Sequence, residues 1–298
     1  MHTRNNTFLI FMTACFGDVL LCSTLCQNIK HFYPDAKVVF IVDKPFYDAA
    51  KYQKDVDDVV IYDKKGENKG IIGLIKFIIK FKYKFAYASF LPYSNIRNWL
   101  ISFFCGIKHI IMEDNKDSEI YKQKKHANLI SKLTQKDSIN FPMRYITNKE
   151  LNPLNTSDNY IVLCPLTKRE EKNIPVETSA KLIELFSKNQ IVLTGKGKNA
   201  EEYAKILQSK GCKFINMVNK TNIPELASIL KDCKMLISAN TGTMHLGCAV
   251  GCPVTAVFYE QENIDIWQPR NQIYNSLIIN ENQSPENIYN QISKKYNV

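Results

Sequence analysis

Apolar runs of strand length alternate with helix-length segments along almost the whole chain, and this alternation restricts the fold more than any other feature. The first strand-like run is TFLIFMTA (7–14), and comparable runs recur after each predicted helix as far as PVTAVF (253–258). Strands separated by single helices imply parallel sheets with right-handed crossovers. Continuous apolar strands such as VVFIV (38–42) indicate sheets that are covered on both faces. We therefore predict an α/β fold with doubly wound sheets.

The predicted elements follow from this alternation and from the turn residues between its members. We predict strands at 7–14, 37–43, 58–63, 85–90, 108–112, 159–165, 190–195, 213–217, 235–239 and 253–258. We predict helices at 18–32, 45–53, 70–82, 95–106, 126–134, 175–188, 199–211, 222–233, 243–251 and 284–296.

The length of 298 residues is more than one core usually serves. The asparagine-rich stretch 146–159 has no periodicity, which is typical of a linker. We predict two Rossmann-like domains, 1–150 and 151–298, that face a cleft. Ligands in such folds bind at the carboxyl ends of the strands.

Composition excludes several classes of protein. No apolar run is long enough for a membrane-spanning helix, and Gly17-Asp18 interrupts the first apolar run, which favours a buried strand over a secretion signal. The nine cysteines include no C-x-x-C pair and the five histidines are scattered, so we expect free thiols in a reducing cytoplasm and no zinc site.

The net charge of +10 predicts an anionic partner. Lysines crowd residues 64–84, where Glu67 is the only acidic residue. Nucleic acid, an acidic lipid surface or a phosphorylated substrate would each suit this charge, and an ordinary solvated face would explain it too. No aromatic–basic platform supports nucleic-acid binding, so we expect none.

The stretch SANTGTMHLGCAVGCPVTAVF (238–258) combines a strand, a turn of small polar residues, a helix and a second strand. Thr241 or Thr243 can cap the helix, Gly242 allows a ligand close to the backbone, and His245 lies in the first turn. The amides of a helix start bind anions. The alternative is a capped βα turn with a partly buried histidine.

A second glycine turn, GKGKNA (195–200), follows a strand and opens a helix. The pattern G-x-G-x-x-A is typical of dinucleotide binding. It lies in the middle of the chain, however, and no acidic residue ends the next strand, so Gly195 indicates a mononucleotide. Glu201 could bind the ribose hydroxyls, or it could be an ordinary acid in the first helical turn.

Cationic residues crowd the loop CPLTKREEKNIP (164–175) after a predicted strand. Thr167, Lys168 and Lys172 could hold a diphosphate there. The alternative is a solvated loop.

The stretch ACFGDVLL (14–21) places Asp18 directly after the first strand. Asp18 could be a helix N-cap. It could also be a general base, because a helix start favours the ionised carboxylate, which can take a proton from a hydroxyl nucleophile.

Together these four stretches resemble the glycosyltransferase family 9 heptosyltransferases, bacterial enzymes that build the inner core of lipopolysaccharide. The resemblance rests on GDVLL with FYPDAKV, on PLTKREEKNIP and on the Thr-Gly-x-x-His-Leu turn that begins at Thr241. It implies a GT-B fold, in which the first domain holds the acceptor and the second holds the nucleotide-sugar.

The resemblance also implies an inverting transfer of heptose from ADP-heptose, without a metal or a bound cofactor. The acceptor would be an anionic glycolipid at the cytoplasmic face of the inner membrane. Asp18 would be the catalytic base. The residues implied in donor binding are Thr167, Lys168, Lys172, Gly195, Glu201, Asn240, Thr241, Gly242, Thr243 and His245.

Three positions depart from the family pattern. Asn240 replaces an aspartate, which removes a carboxylate from the donor side, and Ile174 replaces a tryptophan. Phe16 precedes the Gly-Asp pair where a small or basic residue is more common. The open alternatives are a different nucleotide-sugar donor and an NAD-linked oxidoreductase built on GKGKNA. Residues 70–84 could bind the membrane surface. Alternatively, this segment is a crossover helix whose residues Ile71, Ile72, Leu74, Ile75, Ile78 and Ile79 are buried against the sheet.

Overall fold

The chain forms two compact units, residues 1–144 and 145–298, each built around one parallel sheet. The computed structural model describes residues 6–93, 95–113, 120–154, 160–259, 261–270, 272–280 and 283–297. The division between the units falls just before the asparagine-rich stretch. The predicted α/β fold with two doubly wound sheets is confirmed.

The sheet of the first unit has the order β3-β2-β1-β4-β5, counted over the described residues. Its strands are β1 (Thr7–Met12), β2 (Lys37–Val42), β3 (Asp58–Ile61), β4 (Ala88–Leu91) and β5 (His109–Met112). β1 pairs in parallel with β2, from Thr7 opposite Lys37 to Met12 opposite Val42, and with β4 on its other side. The strand order reverses between β1 and β4, which is where folds of this type bind ligands.

The helices of the first unit cover both faces of this sheet. They are α1 (Phe16–Leu21), α2 (Ser23–Phe32), α3 (Tyr47–Lys51), α4 (Gly70–Lys80), α5 (Ile96–Phe104), α6 (Lys122–Ala127) and α7 (Ser131–Thr134). The helix predicted at 18–32 begins earlier and is interrupted at Cys22. The helix predicted at 126–134 is two short helices, α6 and α7.

One face of the first sheet packs against α4 and α5. Leu9, Phe11, Val39 and Ile41 point to this face, because alternate residues of a strand point the same way. They meet Leu74 and Phe77 of α4 and Ile101 and Cys105 of α5. α4 and α5 also contact each other, so their outward sides form one surface.

The sheet of the second unit has the order β11-β10-β9-β6-β7-β8 in the part of the chain that is described. Its strands, all parallel, are β6 (Tyr160–Cys164), β7 (Gln190–Leu193), β8 (Ile215–Asn216), β9 (Met235–Ala239), β10 (Val254–Phe258) and β11 (Ser276–Asn280). The predictions missed β11, and β8 is shorter than the strand predicted at 213–217. The order reverses between β6 and β9.

The helices of the second unit are α8 (Val176–Leu185), α9 (Lys198–Ser209), α10 (Ile223–Asp232), α11 (Gly242–Val250), α12 (Gln261–Trp267) and α13 (Pro285–Tyr296). α10 begins with a capping box, in which Asn222 and Glu225 each bind the other's backbone N–H. The predictions missed α12. Among the described residues, the longest helices have twelve residues, and none is long and apolar enough to cross a membrane.

Candidate functional site

Asp18 lies in the first turn of α1, directly beyond the carboxyl end of β1. The N-cap of α1 is Cys15, whose side chain makes no capping hydrogen bond, so the N-cap interpretation of Asp18 is wrong. Only 5% of the Asp18 surface is exposed. A buried carboxylate needs partners, and the neighbouring strands supply them.

Tyr93 is the direct partner of Asp18. Its hydroxyl donates a hydrogen bond of 2.8 Å to Asp18 Oδ1. Tyr93 follows β4, which lies beside β1 in the sheet, so the two side chains come from either side of the point where the strand order reverses. The sequence predictions missed Tyr93, although its position just beyond a predicted strand was a usable signal.

A buried ionic cluster lies next to this pair. Glu113, which follows β5, pairs with Lys122 at 3.0 Å and with Lys125 at 2.8 Å, and its Oε2 lies 3.3 Å from His126 Nδ1. Lys122 Nζ also lies 4.4 Å from the centre of the Tyr93 ring. α6 thus connects the carboxylate beyond β5 to the tyrosine that binds Asp18.

Burial raises the pKa of Asp18 above its ordinary value, and the neighbouring His126 ring, the Tyr93 hydrogen bond and the charge of Lys122 oppose this. The helix start alone was expected to keep Asp18 ionised, but desolvation has the larger effect. Burial also lowers the pKa of His126, so its imidazole is neutral at neutral pH. The cation that supports the Asp18 carboxylate there is therefore Lys122.

Burial would likewise raise the pKa of Glu113. The His126 ring 3.3 Å away and the ion pairs with Lys125 and Lys122 outweigh this and hold the pKa of Glu113 at about 2. Glu113 is therefore the fixed negative charge of the cluster, while Asp18 is the carboxyl that exchanges a proton more readily.

In the second unit, the three predicted donor stretches follow three adjacent strands. β9, β6 and β7 are neighbours in that order, and each ends at the same edge of the parallel sheet. The loop with Thr167, Lys168 and Lys172 follows β6, the turn with Gly195 follows β7, and the turn from Asn240 to Thr243 follows β9. The three loops therefore leave adjacent strands at one edge of the sheet, and two of them, after β6 and β9, flank the point where the strand order reverses.

The turn after β9 is built as the sequence predicts. Thr241 is the N-cap of α11, and its hydroxyl accepts a 3.0 Å hydrogen bond from the Thr243 backbone N–H. Gly242 is the first helical residue, and α11 ends at Gly251, which takes the left-handed conformation (φ 79°). A Cβ on Gly247 would lie 2.8 Å from Leu236 Cδ2, so this glycine lets α11 pack closely on the sheet.

His245 is the fourth residue of α11 and is 4% exposed. Burial lowers its pKa to about 4, so the ring is neutral at physiological pH and can give or accept a hydrogen bond without carrying charge. Its ring centre lies 6.3 Å from that of Trp267. Asn240 is half-buried, and its side-chain amide has no hydrogen-bond partner among the described residues.

The loop after β6 is held by hydrogen bonds between its own residues. The Thr167 N–H donates to Asn173 Oδ1 at 2.7 Å, and the Lys172 N–H donates to the carbonyl of Arg169 at 2.9 Å. Ile174, at the position of the family's tryptophan, is fully buried in the core. Lys168 is exposed and Lys172 is half-buried.

The glycine turn after β7 also opens a helix, as predicted. Gly197 is the N-cap of α9 with φ 98°, and its N–H donates to Asn219 Oδ1 at 2.7 Å. Glu201 is exposed and accepts a 2.7 Å hydrogen bond from Asn219 Nδ2. A ligand hydroxyl at Glu201 would therefore share the carboxylate with Asn219.

Comparison with known proteins gives consistent results. The family model for glycosyltransferase family 9 (heptosyltransferase) matches residues 97–297. The chain is similar to lipopolysaccharide heptosyltransferase 3 of Escherichia coli K12, at 21% identity over 85% of this chain and 82% of that protein.

Two solved structures share the fold along almost the whole chain. A family 9 glycosyltransferase from Veillonella parvula aligns with a TM-score of 0.86 at 17% identity, covering 98% of this chain and 97% of that one. The E. coli heptosyltransferase WaaC, solved with ADP, aligns with a TM-score of 0.77 at 19% identity, covering 97% of this chain and 99% of that one. At these identities the likeness establishes the shared GT-B fold.

Proposed function

Because the chain belongs to glycosyltransferase family 9, the heptosyltransferase family, we propose that it transfers heptose from ADP-heptose to a lipopolysaccharide core or related surface glycan. The transfer inverts the configuration of the sugar and needs no metal. The first unit binds the acceptor and the second binds the donor. Similarity to heptosyltransferase 3 and to structures solved with ADP and an ADP-heptose analogue supports this choice of substrates.

The main support for the donor assignment is that β9, β6 and β7 are adjacent strands whose carboxyl ends lie at the same edge of the sheet. Lysines, a glycine turn and the capped start of α11 all follow these strands. A diphosphate suits the ammonium groups of Lys168 and Lys172, and the N–H groups at the start of α11 suit its oxygens. His245, being neutral, is suited to a hydrogen bond with a sugar or ribose hydroxyl.

Asp18 takes the proton in the proposed reaction. The acceptor hydroxyl attacks the anomeric carbon of the donor while Asp18 removes its proton, and the bond between that carbon and the diphosphate oxygen breaks. The nucleoside diphosphate leaves with the electron pair and is held by the cationic loop. A single displacement of this kind needs one base and a stabilised leaving group.

The acceptor is an anionic glycolipid, and this places the enzyme at the cytoplasmic face of the inner membrane as a peripheral protein. The net charge of +10 supports an anionic partner.

A second candidate is transfer from a different nucleotide-sugar. Asn240 favours it, because a neutral amide stands where the family pattern has a carboxylate. That change alters which sugar hydroxyls the turn after β9 can bind.

Calorimetric titration with ADP-heptose, UDP-sugars, GDP-sugars and NAD tests the donor, and only ADP-heptose should bind and turn over. Turnover in EDTA should equal turnover without it. Tight binding of NAD, turnover with a UDP- or GDP-sugar alone, or loss of turnover in EDTA would each contradict the corresponding part of the proposal.

Asp18→Asn tests the base. Transfer should fall roughly 10²–10⁴-fold while the affinity for ADP stays unchanged. Asp137→Asn, at an exposed aspartate of the same unit, is the matched control and should keep full activity. Lys172→Ala should instead weaken ADP binding. If the Asp18→Asn variant transferred heptose at the wild-type rate, Asp18 would not be the base.

A further inference from the structure

The outward side of α4 exposes four isoleucines. Their exposed fractions are 74% for Ile71, 71% for Ile72, 50% for Ile75 and 66% for Ile79. The alternative that this helix buries its isoleucines against the sheet is therefore wrong for these four residues. The side facing the sheet is formed by Gly73, Leu74 and Phe77. Apolar residues clustered outward on one helix mark a binding surface.

Lysines lie along one flank of these isoleucines. At 100° per residue, Lys76 and Lys80 project on the side next to Ile72 and Ile79, and Lys69 is the N-cap residue before the helix. All three are exposed, and none forms an ion pair with a carboxylate in the described part of the chain. By contrast, Lys82 is paired with Asp58 at 2.8 Å, and Lys84 donates to the carbonyl of Ile79 at 2.8 Å.

The adjacent helix α5 extends the apolar area. Ile96, Phe103 and Phe104 are exposed on α5, and Phe103 stacks on Trp99 with ring centres 5.1 Å apart. Because α4 and α5 pack side by side on the same face of the sheet, their outward residues belong to one surface. We call this the isoleucine–lysine surface; it comprises Lys69, Ile71, Ile72, Ile75, Lys76, Ile79, Lys80, Ile96, Phe103 and Phe104.

We propose that the isoleucine–lysine surface docks on an anionic lipid bilayer. The isoleucine and phenylalanine side chains enter the boundary between headgroups and acyl chains, and the lysines meet the anionic headgroups. The combination of an apolar centre and unpaired cations matches both parts of such an interface.

A second copy of the chain fits this surface less well. A two-fold symmetric contact would bury the lysines of both copies in one interface, and the isoleucine–lysine surface contains no carboxylate to pair with them. Their like charges would repel, whereas an anionic membrane neutralises them. The charge therefore favours lipid over self-association.

The inference deepens the proposed function by naming the surface that holds the enzyme beside its glycolipid acceptor. It does not depend on the identity of the donor or on Asp18. Vesicle binding is measured without substrate, so its failure is distinguishable from failure of the proposed reaction.

The test is co-sedimentation with vesicles of phosphatidylcholine alone or of phosphatidylcholine with about 30% phosphatidylglycerol. The full-length protein should bind the anionic vesicles, release them as salt is raised, and bind neutral vesicles at least tenfold more weakly. Absence of binding to anionic vesicles, or equal binding to both kinds, would overturn the proposal.

Two double variants test whether the isoleucine–lysine surface is the part of the protein that binds the vesicles. Ile72→Glu with Ile75→Glu, and separately Lys76→Glu with Lys80→Glu, should each weaken anionic-vesicle binding at least tenfold. Both should keep wild-type ADP binding and wild-type turnover on a lipid-free acceptor. Ile206→Glu, at an isoleucine that is 44% exposed on α9, is the matched control and should bind vesicles normally.

Either double variant binding vesicles like wild type would overturn the assignment of the surface. Light scattering of the lipid-free protein measures its oligomeric state and so tests the alternative that a second copy of the chain occupies this surface. A wild-type dimer that the Ile72→Glu and Ile75→Glu variant converts to a monomer, with vesicle binding intact, would identify a protein interface instead.

Discussion

Two opposing effects determine the pKa of Asp18. Burial favours its protonated form, while Tyr93 and Lys122 favour the carboxylate. A base is most useful when its pKa lies near the working pH, so a raised pKa suits the role proposed for Asp18. Transfer should accordingly decline as pH falls through a pKa above the usual range of an aspartate, since the protonated carboxyl cannot accept the proton.

Tyr93→Phe tests how far the tyrosine positions and tunes that carboxyl. Loss of the 2.8 Å hydrogen bond raises the pKa of Asp18 further, so the acid limb of the pH–rate profile should move to higher pH. A hydrogen bond to a charged group contributes about 1.5–3 kcal/mol, so the acid limb should move by about 1–2 pH units. Tyr47→Phe, on α3, is the control. An unchanged acid limb in Tyr93→Phe would show that the tyrosine only fills space.

Glu113→Gln tests the ionic cluster through stability. The pKa of Glu113 falls from 4.5 to about 2, which corresponds to about 3 kcal/mol of stabilisation by the ionised carboxylate. That contribution is complete above pH ~4.5 and is lost as pH falls towards ~2. The variant should therefore unfold at much lower urea than wild type at pH 7, and the difference should shrink at pH 3.

Glu177→Gln is the matched control for this measurement, because Glu177 pairs with Lys210 at the surface. An exposed pair contributes little, so its urea midpoint should barely change at either pH. A Glu113→Gln protein as stable as this control at pH 7 would contradict the account of the cluster.

At the scale of elements, α4 shows how local preference and packing can disagree. Alanine is favoured over glycine inside helices by about 1 kcal/mol. A Cβ on Gly73, however, would lie 2.4 Å from the backbone carbon of Asn68, which cannot move as a flexible side chain would. The glycine is what lets the helix follow so closely on the preceding turn.

Gly73→Ala should therefore destabilise the protein by about 2 kcal/mol, despite the better helix propensity of alanine. Denaturant titration measures this. Ile72→Ala, one residue earlier on the exposed side, should change stability by no more than about 0.5 kcal/mol. A more stable Gly73→Ala protein would mean that the turn before α4 adjusts without cost.

Elements with a continuous apolar run and a clear turn were predictable from sequence. β1, β2, β9 and α11 agree closely with their predictions because buried parallel strands and a capped helix leave strong patterns. The break at Cys22 was not predictable, since apolar residues continue through it. β11 and α12 were missed because polar residues surround short apolar runs there.

At the scale of the whole molecule, the nine cysteines are free thiols in very different surroundings. Cys15 is exposed, Cys212 is half-buried, and the other seven are buried. A thiol reagent should modify Cys15 first and Cys212 more slowly, and should reach the seven only on unfolding. Cys15→Ser should remove the first phase; a fast phase of several thiols in native protein would contradict this burial.

The candidate sites were predictable to the extent that they follow strand ends. Parallel strands share one carboxyl edge, so residues after β6, β7 and β9 were expected to meet once the fold was known. Tyr93, Glu113 and Lys122 were missed because their roles depend on which strands are neighbours and on how α6 returns to them. Sequence spacing carries neither piece of information.

The order β9-β6-β7 has a consequence for changing what the second unit recognises. Each of the three loops leaves a strand that is hydrogen-bonded on both sides, so the framework holds even if one loop is exchanged for another of different length. Grafting loops singly from relatives with other sugar preferences is therefore a feasible route to hybrid enzymes. The turn that begins at Asn240 is the first to exchange.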